Sequence, residues 1–282
     1  MKIIFPVILA ALTLSSPQES LAQSKSPVRE TSNENGWKLV WQDEFNGTEL
    51  NTENWALCKR SGADWSNTMS ADPSLLTVKD GILHLRGVQN KNRKVDPSPY
   101  LTAGVTSKGK FSFLHGKIII RARFKSAQGA WPALWLLGEK GKHPDNGEID
   151  LMEHLNFDPF VYHTVHSPLT KDYRNAADKS VFKNVPQQSA KTKINKDGWN
   201  VYGCEWTEDK ITFLVNGKPV HSYPRVPSLG EKQWPFNQPF YVIMSMQIGG
   251  GWVNAKHRGP TKASDFPAGM EIDWVRHYQK DK

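Results

Sequence analysis

At 282 residues, with 38% hydrophobic and 23% charged side chains, the chain reads as globular rather than disordered or fibrous. Its formal charge is +8, from 36 basic and 28 acidic residues, but no long block of like charge occurs, which argues against a nucleic-acid tail. Eleven tryptophans exceed the needs of a core this size, and surplus indole faces serve stacking on ligands.

In chain order, Lys2 precedes an apolar run from Ile3 to Leu14, then polar Ser15–Glu19 and the small-residue end Ser20-Leu21-Ala22. This pattern predicts a signal peptide over residues 1–22, cleaved after Ala22. The run contains Pro6 and falls short of the ~20 residues a membrane span needs. No Cys lies near the cleavage point to carry a lipid. The expected product is secreted, soluble and monomeric, without a membrane span and without nucleic acid as a partner. Residues 23–35 are polar and predict a disordered leader. Residues 36–282 hold no linker, repeat or low-complexity stretch and predict one domain. The short basic cluster 91-KNRK-94 reads as a solvated loop.

Alternation dominates this domain. Strands are predicted at 38–45, 148–154, 200–206, 240–248 and 271–279, and in 117-KIIIRARF-124 Ile118, Ile120, Ala122 and Phe124 share one face. Asp80-Gly81 and Asn216-Gly217 stand between apolar runs and predict tight hairpins. No segment carries a long helical stripe. The fold class is therefore all-β, a sandwich or jelly roll of two antiparallel sheets. Export permits a bridge between the two cysteines, Cys58 and Cys204, while Cys204 in VYGCEW suits a buried free thiol. Both readings stand, and neither cysteine has the setting of a nucleophile.

The segment 148-EIDLMEH-154 carries the chemistry, with three carboxylates on one short strand. Glu148 and Asp150 share a strand face, whereas Glu153 has the opposite parity. One β-bulge near Leu151-Met152 returns Glu153 to that face, and bulges favour the neighbourhood of active sites. Glu148 and Glu153 then stand roughly 13 Å apart at Cα, and side chains leaning together reach the ~5–5.5 Å of a retaining glycosidase pair. Clustered carboxylates share protons, so one stays protonated near neutral pH. Trp131 and Trp135 lie just upstream, and 249-GGGWVN-254 adds Trp252 behind a glycine run. Indoles offer platforms for sugar faces.

Glu148-x-Asp150-x-x-Glu153, preceded by WPALW and followed by the glycine run with Trp252, resembles glycoside hydrolase family 16. The likeness runs from 41-WQDEFNG-47 through residues 100–124 to the closing EIDWVRHYQ. It implies a concanavalin-like β-jelly roll with an open cleft that cuts inside glycan chains with retention of configuration. By resemblance Glu148 is the nucleophile, Asp150 its electrostatic partner and Glu153 the general acid/base. Trp131, Trp135, His166, Gln247 and Trp252 would contact the oligosaccharide or polysaccharide substrate. Catalysis would need no cofactor. Many members hold a structural calcium, for which Asp273, Glu44 and the Gly81 carbonyl are the candidates.

The run MEHLNFDPFVYHTVHSPLT lacks the Tyr after the last Glu and the Leu-His-Gly segment common in laminarinases. Residues 64–88 resemble a gut-bacterial group, some of which act as endo-β-galactosidases on mucin-type O-glycans and poly-N-acetyllactosamine. The reading leans to an endo-β-1,4-galactosidase, with an endo-β-1,3(1,4)-glucanase as the alternative. A lectin of the same fold would not need three acids on one strand. A metal hydrolase using His154, His163 and His166 would lack the helix-borne H-E-x-x-H spacing. A transglycosylase remains compatible with the same residues.

Overall fold

The computed structural model describes residues 36–196, 198–257 and 266–280; the expected signal peptide and leader lie outside them. Among the described residues, no helix is long and apolar enough to cross a membrane.

The alternating segments become two antiparallel sheets, of nine and eight strands. In the nine-stranded sheet, Gly116–Lys125 lies between Asn200–Trp206 and Ala268–Lys280. Ile118, Ile120 and Ala122 point inward and are fully buried, as the period of two requires. In the eight-stranded sheet, the acidic strand Glu148–Glu153 is flanked by Ala130–Gly138 and Phe160–His166, and Phe240–Ile248 lies beyond Ala130–Gly138. Leu134, Leu136, Ile149, Leu151, Val242 and Met244 face the first sheet in one continuous core. That burial is the main driving force of the fold.

Both predicted hairpins form. Asp80 and Gly81 have φ of 54° and 70°, Asn216 and Gly217 of 51° and 75°, the left-handed pairs of a type I′ turn. Two short helices, Pro168–Asn175 and Gly251–His257, decorate the sandwich. Cys58 and Cys204 are both buried and unbridged; burial pushes the Cys58 thiol up to about 12 and raises that of Cys204 further.

Ala130–Gly138 is a central strand that the sequence pattern does not announce. It is apolar on both faces, so it shows no clean alternation, and it contains Pro132, a residue disfavoured in central strands.

Close backbone contact at Gly203 gives a test of the packing. A Cβ there would sit 2.1 Å from the Ile118 carbonyl oxygen on the neighbouring strand. Gly203→Ala is therefore expected to cost about 3 kcal/mol or more, read as a lower urea midpoint at unchanged slope. A wild-type midpoint would contradict the close approach.

Candidate active site

The acidic strand carries an irregularity where its spacing requires one. Asp150 pairs with Trp135 and Glu153 with Ala133, so three steps on the acidic strand face two on its neighbour. The same mismatch recurs against the other neighbour, where Asp150 opposes Thr164 and Glu153 opposes Tyr162. Leu151 and Met152 both turn into the core, at zero exposure, and Glu153 rejoins the face of Glu148 and Asp150.

That face forms the floor of a cleft of about 310 Å³. Trp131, Ala133 and Trp135 line it from the preceding strand, Ser245 and Gln247 from Phe240–Ile248, Trp65 from the 3-10 turn Asp64–Ser66 and His143 from a loop. Trp131 donates its indole N–H to Glu153 Oε1 at 3.0 Å. Trp135 donates to Ser245 Oγ at 3.2 Å, and Trp65 meets it edge-on at 4.9 Å.

Two histidines converge on the acids. His143 Nε2 lies 3.1 Å from Glu148 Oε2. His166 Nε2 lies 3.1 Å from Asp150 Oδ2 and 3.6 Å from Glu148 Oε1, between the two carboxylates and without a well-aligned hydrogen bond to Oδ2. Behind it, Arg174 on the helix Pro168–Asn175 donates to His166 Nδ1 at 2.8 Å. A guanidinium only donates, so Nδ1 is the acceptor and Nε2 carries the ring proton. The N–H thus points at the acids, backed by a permanent positive charge.

This environment splits the three carboxyls. Burial pushes Glu148 up, but His166, the hydrogen bonds from His143 and Asp150, and the charge of His143 together bring it below the usual carboxylate value. Asp150 is driven well above its ordinary value, by burial first and then by the charge of Glu148 and the hydrogen bond they share; Arg174 opposes the rise. Glu153 is also raised well above, by burial and then by Asp150 and Glu148, against the pull of His166 and Trp131. The environment therefore favours ionisation of Glu148 ahead of Asp150 and Glu153.

Residues 37–280 match the family described as "Beta-porphyranase A-D, GH16 domain". The chain belongs to glycoside hydrolase family 16. It is 34% identical over 248 residues to the keratan-sulfate endo-1,4-beta-galactosidase of Sphingobacterium multivorum, covering 86% of this chain and 55% of that protein. The chain thus spans just over half of that relative's length. It is 32% identical over 259 residues to the beta-glucanase of Rhodothermus marinus, covering 86% and 85%. The X-ray structure of the laminarinase from Rhodothermus marinus superposes with a TM-score of 0.74 at 30% identity, covering 87% of this chain and 98% of that one.

Within this family 16 site, the predicted residues are not all placed alike. Glu148, Asp150, Glu153, Trp131, Trp135 and Gln247 all line the cleft, and His166 touches its acids. Gln247, however, is buried with its amide committed: Thr68 donates to Oε1, while Nε2 donates to Asn67 and to the Ile248 carbonyl. It anchors a cleft loop instead of offering a free amide to sugar. Trp252 is on the helix Gly251–His257 and packs edge-on against Trp131 at 5.5 Å and Tyr162 at 5.1 Å. It backs Trp131 and does not line the cleft.

His143, Arg174, Trp65 and Ser245 were not singled out by sequence. Ser245 shares strand parity with Gln247, which could have flagged it, and Trp65 lies in the 64–88 segment. His143 offered only its nearness to Glu148, and Arg174 offered no signal.

The metal-hydrolase reading fails on geometry. His163 donates from Nδ1 to the Leu151 carbonyl at 2.7 Å and accepts at Nε2 from Thr192, and burial depresses it to about 4. His154 Nε2 donates to the Asp158 carbonyl at 2.7 Å. Among the described residues, the His, Cys, Asp and Glu group close enough to hold a metal is His143, Glu148 and His166, whose donor atoms lie within 4.8 Å of one another. In the tautomer set by Arg174, His166 Nε2 is protonated and has no lone pair for a metal.

The calcium candidates fare no better as side-chain ligands. Glu44 accepts from Arg276 on both oxygens, at 2.7 and 3.1 Å, and Asp273 Oδ2 accepts from Arg121. Gly81 forms the hairpin turn. A calcium ion takes about six to eight oxygens, and the Glu44 carboxylate, matched to Arg276 on both oxygens, is not placed to supply one.

Arg174→Met removes the donor to Nδ1, so the His166 ring is no longer held in one tautomer. Long-range ¹⁵N–¹H NMR of the His166 ring should show the change relative to wild type. An unaltered ring spectrum would mean that Arg174 does not set the tautomer.

Proposed function

We propose that the chain is a secreted, endo-acting β-glycoside hydrolase working by retaining double displacement. The observation that carries this reading is the bulge that brings Glu148, Asp150 and Glu153 onto one cleft floor, where their surroundings hold Glu148 down and push Glu153 up. Glu148 attacks the anomeric carbon while Glu153 gives its proton to the glycosidic oxygen, and the leaving sugar departs. Water then attacks the same carbon, losing a proton to Glu153, and the Glu148 carboxylate is released. The Asp150 hydroxyl hydrogen-bonds the charge that reappears on Glu148. Trp131 holds Glu153 in place and offers an aromatic face to the sugar beside the cut.

For substrate, the proposal is an endo-β-1,4-galactosidase acting on mucin-type O-glycans and poly-N-acetyllactosamine. It is supported by the keratan-sulfate-cleaving relative, by the porphyranase match and by the missing laminarinase features after Glu153. The Rhodothermus marinus relative favours an endo-β-1,3(1,4)-glucanase as the second reading. A panel of laminarin, mixed-linkage glucan, porphyran, agarose and mucin O-glycans, read by product mass, separates them. A ladder of oligosaccharides from galactose-containing chains is expected. Ladders from the glucans alone would decide for the second reading, and early monosaccharide alone would exclude internal cutting. Export is supported by the apolar run after Lys2, and predicts that the protein recovered outside the cytoplasm begins at Gln23.

Glu148→Gln and Glu153→Gln should each lower turnover by several decades with the fold intact. Azide should rescue Glu148→Ala as a glycosyl azide of inverted configuration. Near-wild-type turnover in Glu148→Gln would remove it as nucleophile.

The pH dependence has a definite sign. Activity needs Glu148 ionised and Glu153 protonated, so it falls as pH drops through the depressed value of Glu148 and as pH rises through the raised value of Glu153. His143→Ala removes one of the groups holding Glu148 down. It should shift the acid limb of kcat/KM to higher pH and leave the alkaline limb in place. A shift of the acid limb to lower pH would contradict the assignment.

A further inference from the structure

A second concavity, of about 760 Å³, lies on the nine-stranded sheet, away from the acidic strand. Among the described residues, its lining includes five basic side chains, Lys79, Arg86, Arg123, Lys125 and Lys196, against the single carboxylate Glu271. All five are exposed. Half of the formal surplus of +8 is gathered here, on a molecule whose cleft concentrates carboxylates.

Register shows how the charges are arranged. Glu271 lies between His84 and Arg123 on adjacent strands, and both pair with it, at 3.5 and 2.5 Å. Two residues earlier, Gly269 lies between Arg86 and Lys125. That row has cations at either side, roughly 10 Å apart across two strand spacings, and no side chain between them. Among the described residues, Lys79, Arg86 and Lys125 have no carboxylate partner.

The same groove holds an exposed aromatic. Phe157 is 47% exposed and lines it, with Lys196 Nζ 5.7 Å from its ring centre. The loop presenting Phe157 is firmly tied: Asn156 donates its N–H to Ala130 at 2.9 Å and accepts from Gly129 through its side chain, and Asp158 N–H reaches Leu155 at 3.1 Å. An apolar ring held open to water beside spaced, unmatched cations suits a ligand with both a sugar face and anionic groups.

We propose that this groove is a second glycan-binding site, selective for chains bearing sulfate or carboxylate groups, held by Lys79, Arg86 and Lys125 with Phe157 under a sugar ring. The choice of a glycan over other polyanions rests on the glycosidase reading of the cleft. Phe157 follows Glu153 by four residues, so the groove begins within about 14 Å of the cleft acid along the chain. An anionic chain held there raises the local concentration of substrate at the cleft.

The test uses the full-length protein with dextran sulfate and neutral dextran of equal length, α-linked probes that a β-specific cleft does not cut. Dextran sulfate should bind and neutral dextran should not. Lys79→Ser/Arg86→Ser/Lys125→Ser should weaken binding about tenfold or more, and higher salt should weaken that of the parent. Phe157→Ala should weaken it several-fold, while hydrolysis of a short neutral oligosaccharide stays within about twofold of wild type. Parent-like binding by the triple variant would overturn the proposal. So would competition by duplex DNA or anionic lipid vesicles as effective as that of dextran sulfate at equal charge. Groove binding that persists in a protein inactive on every glycan of the panel would sink the cleft reading alone.

Discussion

Carboxyl groups buried side by side cannot all be ionised, and the rest of this structure is organised around that constraint. Three of them on one strand face repel one another and lose most of their water. The molecule resolves the conflict by giving the groups unequal company. His143 and His166 together hold Glu148 down, whereas at Asp150 and Glu153 burial and the neighbouring carboxylates outweigh the pull of Arg174, His166 and Trp131. Unequal surroundings thus set neighbouring carboxyls on one strand apart in acidity.

The sandwich supplies the rigidity that such an arrangement demands. Every second residue of the acidic strand and its neighbours is sealed in the core, so the polar faces cannot relax away from one another. The bulge at Leu151-Met152 adds a buried apolar residue and returns the third carboxylate to the cleft. Packing beneath the floor and chemistry above it are set by one local irregularity. Around this floor the walls are tied to one another: Gln247 is bonded to Thr68 and Asn67, and Gly251 N–H to Asp64 at 2.8 Å.

Features governed by local periodicity were legible in the sequence. The parity of Glu148, Asp150 and Glu153 demanded a bulge, the pairs Asp80-Gly81 and Asn216-Gly217 demanded left-handed turns, and the alternation in 117–124 gave a core face that the structure reproduces. Ala130–Gly138 escaped because a strand buried on both faces loses its alternation. Trp252 was expected to meet substrate behind its glycine run, yet the chain closes there into a helix that packs it against Trp131. Gln247 was placed on the correct strand, but its partners come from nearly two hundred residues earlier. His143 and Arg174 act through single contacts between segments, and no period or motif encodes such contacts. The arginines that meet Glu44 and Asp273 lie far from them in sequence, so these ion pairs had no local signal.

His143 stands on a half-exposed loop at the rim, yet its ring reaches the carboxylate at the centre of the cleft. Rim loops are where enzymes built on one scaffold diversify, since insertions there leave the core untouched. Here that freedom has a condition attached. Any remodelling that carries His143 away in order to admit a different glycan also weakens the hold on the Glu148 charge. Descendants of this chain that take a new glycan by displacing His143 will therefore also change the acidity at which they work.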